Sequence, residues 1–142
     1  MRILVTGGAG FIGTNLIKRL LKEGHKVYSI DNYSTGKKSN EQEGCQYYNY
    51  NIVNTLDHPG YFDKELQYDI VYHLAAASRI QPSFEVPEKY IRTNMVGTHN
   101  VVRFCVDRNI PLIYAGSSSH HSGKFKNPYT FSKDVGEEII KL

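Results

Sequence analysis

Cysteine is scarce in this chain, and the little there is does not suggest pairing. The 142 residues hold only Cys45 and Cys105, with no Cys-x-x-Cys or Cys/His ligand spacing around them. That argues against a disulfide framework and suits reduced thiols. Long apolar runs are missing as well: none approaches the roughly 20 residues that a membrane helix needs. No charge of one sign dominates, since 17 Lys and Arg stand against 14 Asp and Glu with the basic residues scattered. A nucleic-acid footprint would require clustering, so none is expected. Repeats, linkers and low-complexity segments are absent, and Met1-Arg2-Ile3-Leu4-Val5 runs straight into a strand pattern without signal-peptide architecture. With 40% apolar and 22% charged residues, the composition is that of an ordinary globular chain. The expectation is one soluble domain over residues 1–142, working in the cytoplasm.

Short apolar runs alternate with helical patterns along the chain. Ile3-Leu4-Val5-Thr6 reads as a buried strand ended by Gly7-Gly8, and Val27-Tyr28-Ser29-Ile30 as a second. Residues 46–50, 69–74 and 112–115 supply a third, fourth and fifth. Helical periodicity covers 11–22, closed by Gly24, then 88–107 behind Pro87, and finally 128–142. Residues 32–45 are polar and read as a loop with a helical turn. Strands separated by helices imply parallel pairing, with helices on both faces of the sheet. Near-uniformly apolar strands agree, because such a sheet is buried on both sides. Ligands collect at the carboxyl ends of strands in this arrangement, so chemistry is expected just after residues 6, 30, 50, 74 and 115.

Three constellations fall there. The first, Thr6-Gly7-Gly8-Ala9-Gly10-Phe11-Ile12-Gly13, lies between a strand and a helix. Glycines keep the turn tight and let backbone amides at the helix start approach a pyrophosphate along the helix dipole. The second is Asp31, at the tip of the next strand, whose carboxylate can accept both adenosine ribose hydroxyls and would repel a 2′-phosphate. NAD, rather than NADP, is the expected cofactor. The third is Tyr129-x-x-x-Lys133, which places a phenol and an ammonium one helical turn apart. A phenol is a poor base near neutral pH, and an adjacent ammonium favours its ionised form. Tyr-x-x-x-Lys alone is cheap in a chain with 11 Tyr; behind a dinucleotide fingerprint and a serine-rich strand end (residues 115–119) it gains meaning. Asn94 reads as a buried hydrogen-bonding residue in an apolar stripe and His73 as a satisfied core histidine. Ser78 and Ser83 could touch ligand, and Tyr47, Tyr48 and Tyr50 read as strand packing. The His120-His121 pair has no third ligand in reach and reads as loop, so no metal is expected.

With these pieces in order, the chain resembles the extended short-chain dehydrogenase/reductase family, and within it the NAD-dependent nucleotide-sugar epimerases and dehydratases. TGGAGFIG at 6–13, DNYSTG at 31–36, DIVYHLAA at 69–76, the Ser83/Pro87/Asn94/Gly97-Thr98/Asn100 series and PYTFSK at 128–133 carry the likeness from Met1 to Leu142. The resemblance implies a Rossmann-type doubly wound parallel sheet. Gly7, Gly10, Phe11, Ile12 and Gly13 would hold the pyrophosphate, and Asp31, Asn32 and Ser34 the adenosine ribose. Asn51 and Ile52 would lie beside adenine, Leu74, Ala75 and Ala76 would line the nicotinamide side, and Asn94 belongs to the same cofactor set. Tyr129 would take the sugar hydroxyl proton, and Lys133 would bind the nicotinamide ribose. The family's catalytic hydroxyl falls on Ser117, with Ser119 as the alternative.

Dehydratases of the family follow that hydroxyl with Asp and Glu, and decarboxylases place Glu at the second position; here Ser118 and Ser119 stand there. The resemblance therefore implies epimerisation, at C4 of a UDP-sugar, through a 4-keto intermediate. A non-catalytic NAD-binding module is the reading from another class, and a dehydratase or reductase is a further one. The chain departs from the family in Asn51, where Asp is usual, in His121-Ser122, where Tyr-Gly is usual, and in a shorter loop between serine and tyrosine. Relatives continue for roughly another domain length beyond this point. The expectation is a chain without the carboxyl-terminal substrate domain, which binds NAD and turns over poorly by itself. Homodimerisation through the helices at 88–107 and 129–142 is the oligomeric expectation.

Overall fold

The computed structural model describes residues 1–57 and 66–142. Its five strands are β1 (Arg2–Thr6), β2 (Lys26–Asp31), β3 (Cys45–Asn49), β4 (Ile70–His73) and β5 (Leu112–Tyr114). They form one parallel sheet in the order β3-β2-β1-β4-β5. Growth of the sheet reverses between β1 and β4, and that reversal opens a crevice at the strands' carboxyl ends.

β1 shows why both faces are covered. Ile3 and Val5 point into one core with Ile17 and Leu20 of α1 (Phe11–Lys22). Leu4 points the other way, into a core with Val71, Val101 and Phe104. The side-chain period of two thus feeds apolar groups to both layers, as a doubly wound sheet requires. Gly24 ends α1 at φ 82°, with the His25 N–H donating to Leu20 O and the Gly24 N–H to Leu21 O, a glycine-closed helix end.

The helical pattern expected over 88–107 is broken into pieces. After a short α2 (Gln81–Glu85) come α3 (Pro87–Ile91), a wider π turn at Arg92–Gly97, and α4 (Thr98–Asp107). The π turn carries Asn94 at its middle and is a common device for re-aiming a side chain. The last helix, α5 (Pro128–Lys141), is capped by Asn127, whose Oδ1 accepts from the Thr130 N–H at 2.8 Å. Among the described residues no helix is long and apolar enough to cross a membrane.

Candidate active site

The crevice is a cleft of about 780 Å3 running across the tips of β1, β2 and β4. Gly7, Gly10, Phe11, Ile12 and Gly13 line its floor, Asp31, Asn32, Ser34, Asn51 and Ile52 one end, and Leu74, Ala75 and Ala76 the other. The strand tips therefore bring together residues widely separated in the chain.

Two glycines are demanded by packing. Gly7 sits at φ 77°, and a Cβ on it would lie 2.8 Å from the Ala75 backbone. A Cβ on Gly13 would lie 2.2 Å from Gly7 O. Gly10 differs: its backbone is extended, and a Cβ there would meet only Gly7 O, at 3.3 Å. The fold does not require glycine at 10; the added methyl would instead occupy space above the turn. α1 begins behind Gly10 with no capping side chain and no acidic residue in its first turn. Bare first-turn amides beside an open glycine form a cradle suited to a diphosphate, so the residues present fit a dinucleotide.

Asp31 is buried and held from two sides. Its Oδ2 accepts from the Ala9 N–H at 2.9 Å and its Oδ1 from the Tyr33 N–H at 2.8 Å. A carboxylate offers about four acceptor positions, so both oxygens keep capacity for ribose hydroxyls. Asn32 Oδ1 accepts from the Ser34 N–H at 3.0 Å, and Asn51 Oδ1 from the Val53 N–H at 3.0 Å.

Ser117, Tyr129 and Lys133 gather where the chain leaves β5, beside the cleft but not among the residues that line it. Ser117 Oγ and Tyr129 Oη are 3.3 Å apart, while Ser119 Oγ bonds Ser117 Oγ at 2.8 Å. Between the two serines, Ser117 is the one that meets the phenol. The Tyr129 ring stands edge-on to that of Tyr90, a cleft residue, with centroids 6.3 Å apart. Lys133 is buried; its Nζ donates to Ala115 O at 2.6 Å and lies 4.0 Å from the centre of the Tyr114 ring. Burial pushes the Lys133 ammonium down to about 8, and the Glu137 carboxylate opposes that fall.

Asn94 does not line the cleft. It is buried in the π turn, where its Oδ1 accepts from the Ala77 N–H at 2.8 Å and its Nδ2 donates to Ala77 O and to Ser132 Oγ, both at 3.0 Å. It fixes the β4 exit loop to α5. Thr93, its neighbour, faces the cleft instead, together with Ser78, Arg79 and Lys89. A helical pattern read from sequence could not separate Thr93 from Asn94, because the π turn shifts their phase. Ser83 is fully buried, its hydroxyl donating to Ile80 O at 2.6 Å, and so faces away from ligand. Tyr50 both packs and lines the Asp31 end of the cleft, its hydroxyl donating to Thr55 O at 2.6 Å.

His73 is a satisfied core histidine: Nδ1 pairs with Thr6 Oγ1 at 2.7 Å and Nε2 with Thr98 Oγ1 at 3.0 Å. Burial first, and then the Lys133 charge, push it down to about 3, so it is neutral near pH 7. Cys45 and Cys105 are free, and burial pushes both thiols up to about 12, which leaves neither as a nucleophile at neutral pH. The His120 Nδ1–H donates to Ser117 O at 2.7 Å. Among the described residues no cluster of His, Cys, Asp and Glu is placed to hold a metal ion.

A reversed parallel sheet with a bare helix start, a carboxylate at the next strand tip and a Ser–Tyr–Lys group defines a dinucleotide-binding domain of Rossmann type. The chain belongs to the NAD-dependent epimerase/dehydratase family, whose model matches residues 3–140. That membership bears out NAD as the cofactor.

Among curated relatives, protein CapI of Staphylococcus aureus is 37% identical over 98% of this chain and 44% of its own length. A UDP-N-acetyl-alpha-D-glucosaminuronate decarboxylase of Bacillus cytotoxicus is 33% identical over 94% of this chain and 41% of its own. Among solved structures, the UDP-glucose 4-epimerase of Thermus thermophilus in complex with NAD superimposes with a TM-score of 0.82 at 27% identity. A UDP-galactose 4-epimerase does so with 0.86 at 26%. These two cover 99% and 98% of this chain and 50% of their own lengths. The chain thus spans about half the length of the relatives it matches.

Proposed function

We propose that this chain forms the cofactor-binding and catalytic half of a cytoplasmic nucleotide-sugar 4-epimerase acting on a UDP-sugar. The observation that carries the reading is the 3.3 Å approach of Ser117 Oγ to Tyr129 Oη, whose ring stands against the cleft residue Tyr90, with Lys133 one turn along the same helix. Gly10, Phe11 and Ile12 hold the diphosphate of NAD, Asp31 its adenosine ribose, and Leu74 to Ala76 the wall beside the nicotinamide. Bound NAD supplies the group that accepts and returns hydrogen at the sugar's C4.

Around that group the chain's own residues handle the proton. Ser117 holds the sugar's 4-hydroxyl by a hydrogen bond, and Tyr129 Oη takes its proton and later gives one back. The buried Lys133 ammonium stabilises the ionised phenol. Hydrogen returned to the opposite face of the 4-keto sugar inverts the centre. Removal of water or carbon dioxide would call for carboxyl groups beyond this constellation; Ser118 and Ser119 have none, which favours epimerisation over the chemistry of the decarboxylase relative. A homodimer through the helices at 88–107 and 129–142 belongs to the same proposal, supported by the exposure of Val96 in the π turn and Val106 on α4, 44% and 69%.

The test uses the NAD-loaded chain with UDP-glucose, followed by NMR for the C4 epimer. Slow conversion is expected, lost in Tyr129→Phe while NAD affinity stays within about threefold. No conversion by either protein, with NAD bound in both, would establish a non-catalytic binding module instead, and equal conversion by both would overturn Tyr129 as the base.

A further inference from the structure

The Tyr-x-x-x-Lys pair continues by one more turn. Tyr129, Lys133 and Glu137 recur at four-residue spacing on α5 and so share one face. That face meets the segment leaving β5. Lys133 Nζ donates to Ala115 O at 2.6 Å, and Glu137 Oε1 accepts from the Ser117 N–H at 3.3 Å. Cation and carboxylate, one turn apart, therefore bind the peptide groups on either side of Gly116. Gly116 makes room for this arrangement, because a Cβ there would lie 2.7 Å from Glu137 Oε1.

We propose that Glu137 is a positioning residue of the site: it anchors the Ser117 amide so that the Ser117 hydroxyl meets Tyr129, and it balances the buried Lys133 ammonium. The proposal rests on the reading that Ser117 and Tyr129 are the reacting pair. Without the anchor, the residue after Gly116 is free to turn, and the 3.3 Å contact between hydroxyl and phenol loses its support. Without the charge, the ammonium keeps a carbonyl and an aromatic face as partners and no anion. The other groups facing it are His73 from β4, Tyr114 from β5 and Tyr129 on α5 itself. Burial holds His73 down to about 3 and Tyr114 up to about 12, so neither supplies a charge that changes between pH 5 and pH 10.

The experiment reads two signals from the NAD-free chain by NMR, neither of which depends on turnover. Glu137→Gln keeps an oxygen for the Ser117 amide and removes the charge. In it the Lys133 side-chain titration moves to lower pH by roughly half a unit or more, while Ser117 amide exchange stays within about twofold. Glu137→Ala removes both, and Ser117 exchange rises about tenfold or more. Gly116→Ala, which retains Glu137 and displaces its carboxylate, reproduces the faster exchange. An unmoved Lys133 titration in Glu137→Gln overturns the charge role. Unmoved Ser117 exchange in both Glu137→Ala and Gly116→Ala overturns the anchor, and Gly116→Ala decides that point where Glu137→Ala fails to fold. Should Tyr129→Phe leave sugar conversion untouched while these signals move, the catalytic reading fails and the Glu137 geometry stands.

Discussion

Asp31 is tied to the glycine-rich turn by its own carboxylate: Oδ2 accepts from the Ala9 N–H at 2.9 Å, joining the tip of β2 to the loop after β1. On the proposed reading, one side chain thus aligns the ribose site with the diphosphate site. Asp31→Asn retains an oxygen and loses the charge. NAD affinity is expected to fall roughly ten- to hundredfold, as for a charge-assisted hydrogen bond. Binding of NADP should rise relative to NAD, because the repulsion of a 2′-phosphate is gone. Calorimetric titration with both dinucleotides checks this, and an unchanged NAD/NADP ratio would refute it.

Gly10 and Gly13 stand three residues apart and fail in opposite ways. A methyl at 13 would lie 2.2 Å from Gly7 O, so Gly13→Ala should destabilise the fold by about 2 kcal/mol or more through overpacking. A methyl at 10 meets only Gly7 O, at 3.3 Å. Gly10→Ala should melt within a few degrees of the parent and bind NAD at least about tenfold more weakly, since the methyl keeps the diphosphate from the amides. Thermal melts with and without NAD separate the two effects. Equal loss of stability in both variants would show that position 10 serves packing.

The first half of the site was legible in the sequence because each part is local. Gly7 to Gly13 sit in one turn and Asp31 at the next strand tip, so spacing alone places them together. The same holds for Tyr129 and Lys133, joined by helical period. Ser117 is joined to Tyr129 by the family resemblance and not by spacing; the contact of Glu137 with Ser117 was out of reach, because it exists only where the segment after β5 packs on α5. The π turn at Arg92–Gly97 was hidden for another reason. Apolar spacing over 88–107 suits a regular helix, and the extra residue per turn that moves Asn94 onto Ala77 leaves no mark in that pattern. Asn109 closes α4 at φ 52°, with the Ile110 N–H donating to Cys105 O, so this helix end lacks the glycine that flagged the end of α1.

His73 makes stability fall in acid. Its folded value of about 3 lies below the ordinary 6.5, so between these the unfolded chain carries more protons than the folded one. Stability then drops as pH falls through that window, by up to about 1.4 kcal/mol per pH unit from this group. His73→Gln, although less stable near neutrality, should lose stability less steeply between about pH 6.5 and pH 4. Urea midpoints at successive pH values measure both slopes. Parallel slopes would mean that His73 takes up its proton in the folded state.

Lys133 presents the same linkage from the basic side, and it sets function against stability. Its folded value of about 8 lies below 10.5, so the unfolded chain holds more protons between those values and stability rises with pH across them. Near pH 7 the cost of burying the ammonium is fully present. Lys133→Met, close in volume and without charge, should therefore stabilise the NAD-free chain at pH 7 by about 1 kcal/mol, the lost bond to Ala115 O offsetting part of the gain. That advantage should shrink as pH is raised from about 8 towards 10.5. On the proposed reading, in which the ammonium holds the nicotinamide ribose, the same variant should bind NAD at least about tenfold more weakly. A site that spends stability on a buried charge keeps it for what it binds. A variant less stable than the parent at pH 7, or a difference that does not vary with pH, would show that Ala115 and Glu137 compensate the charge fully in the folded chain.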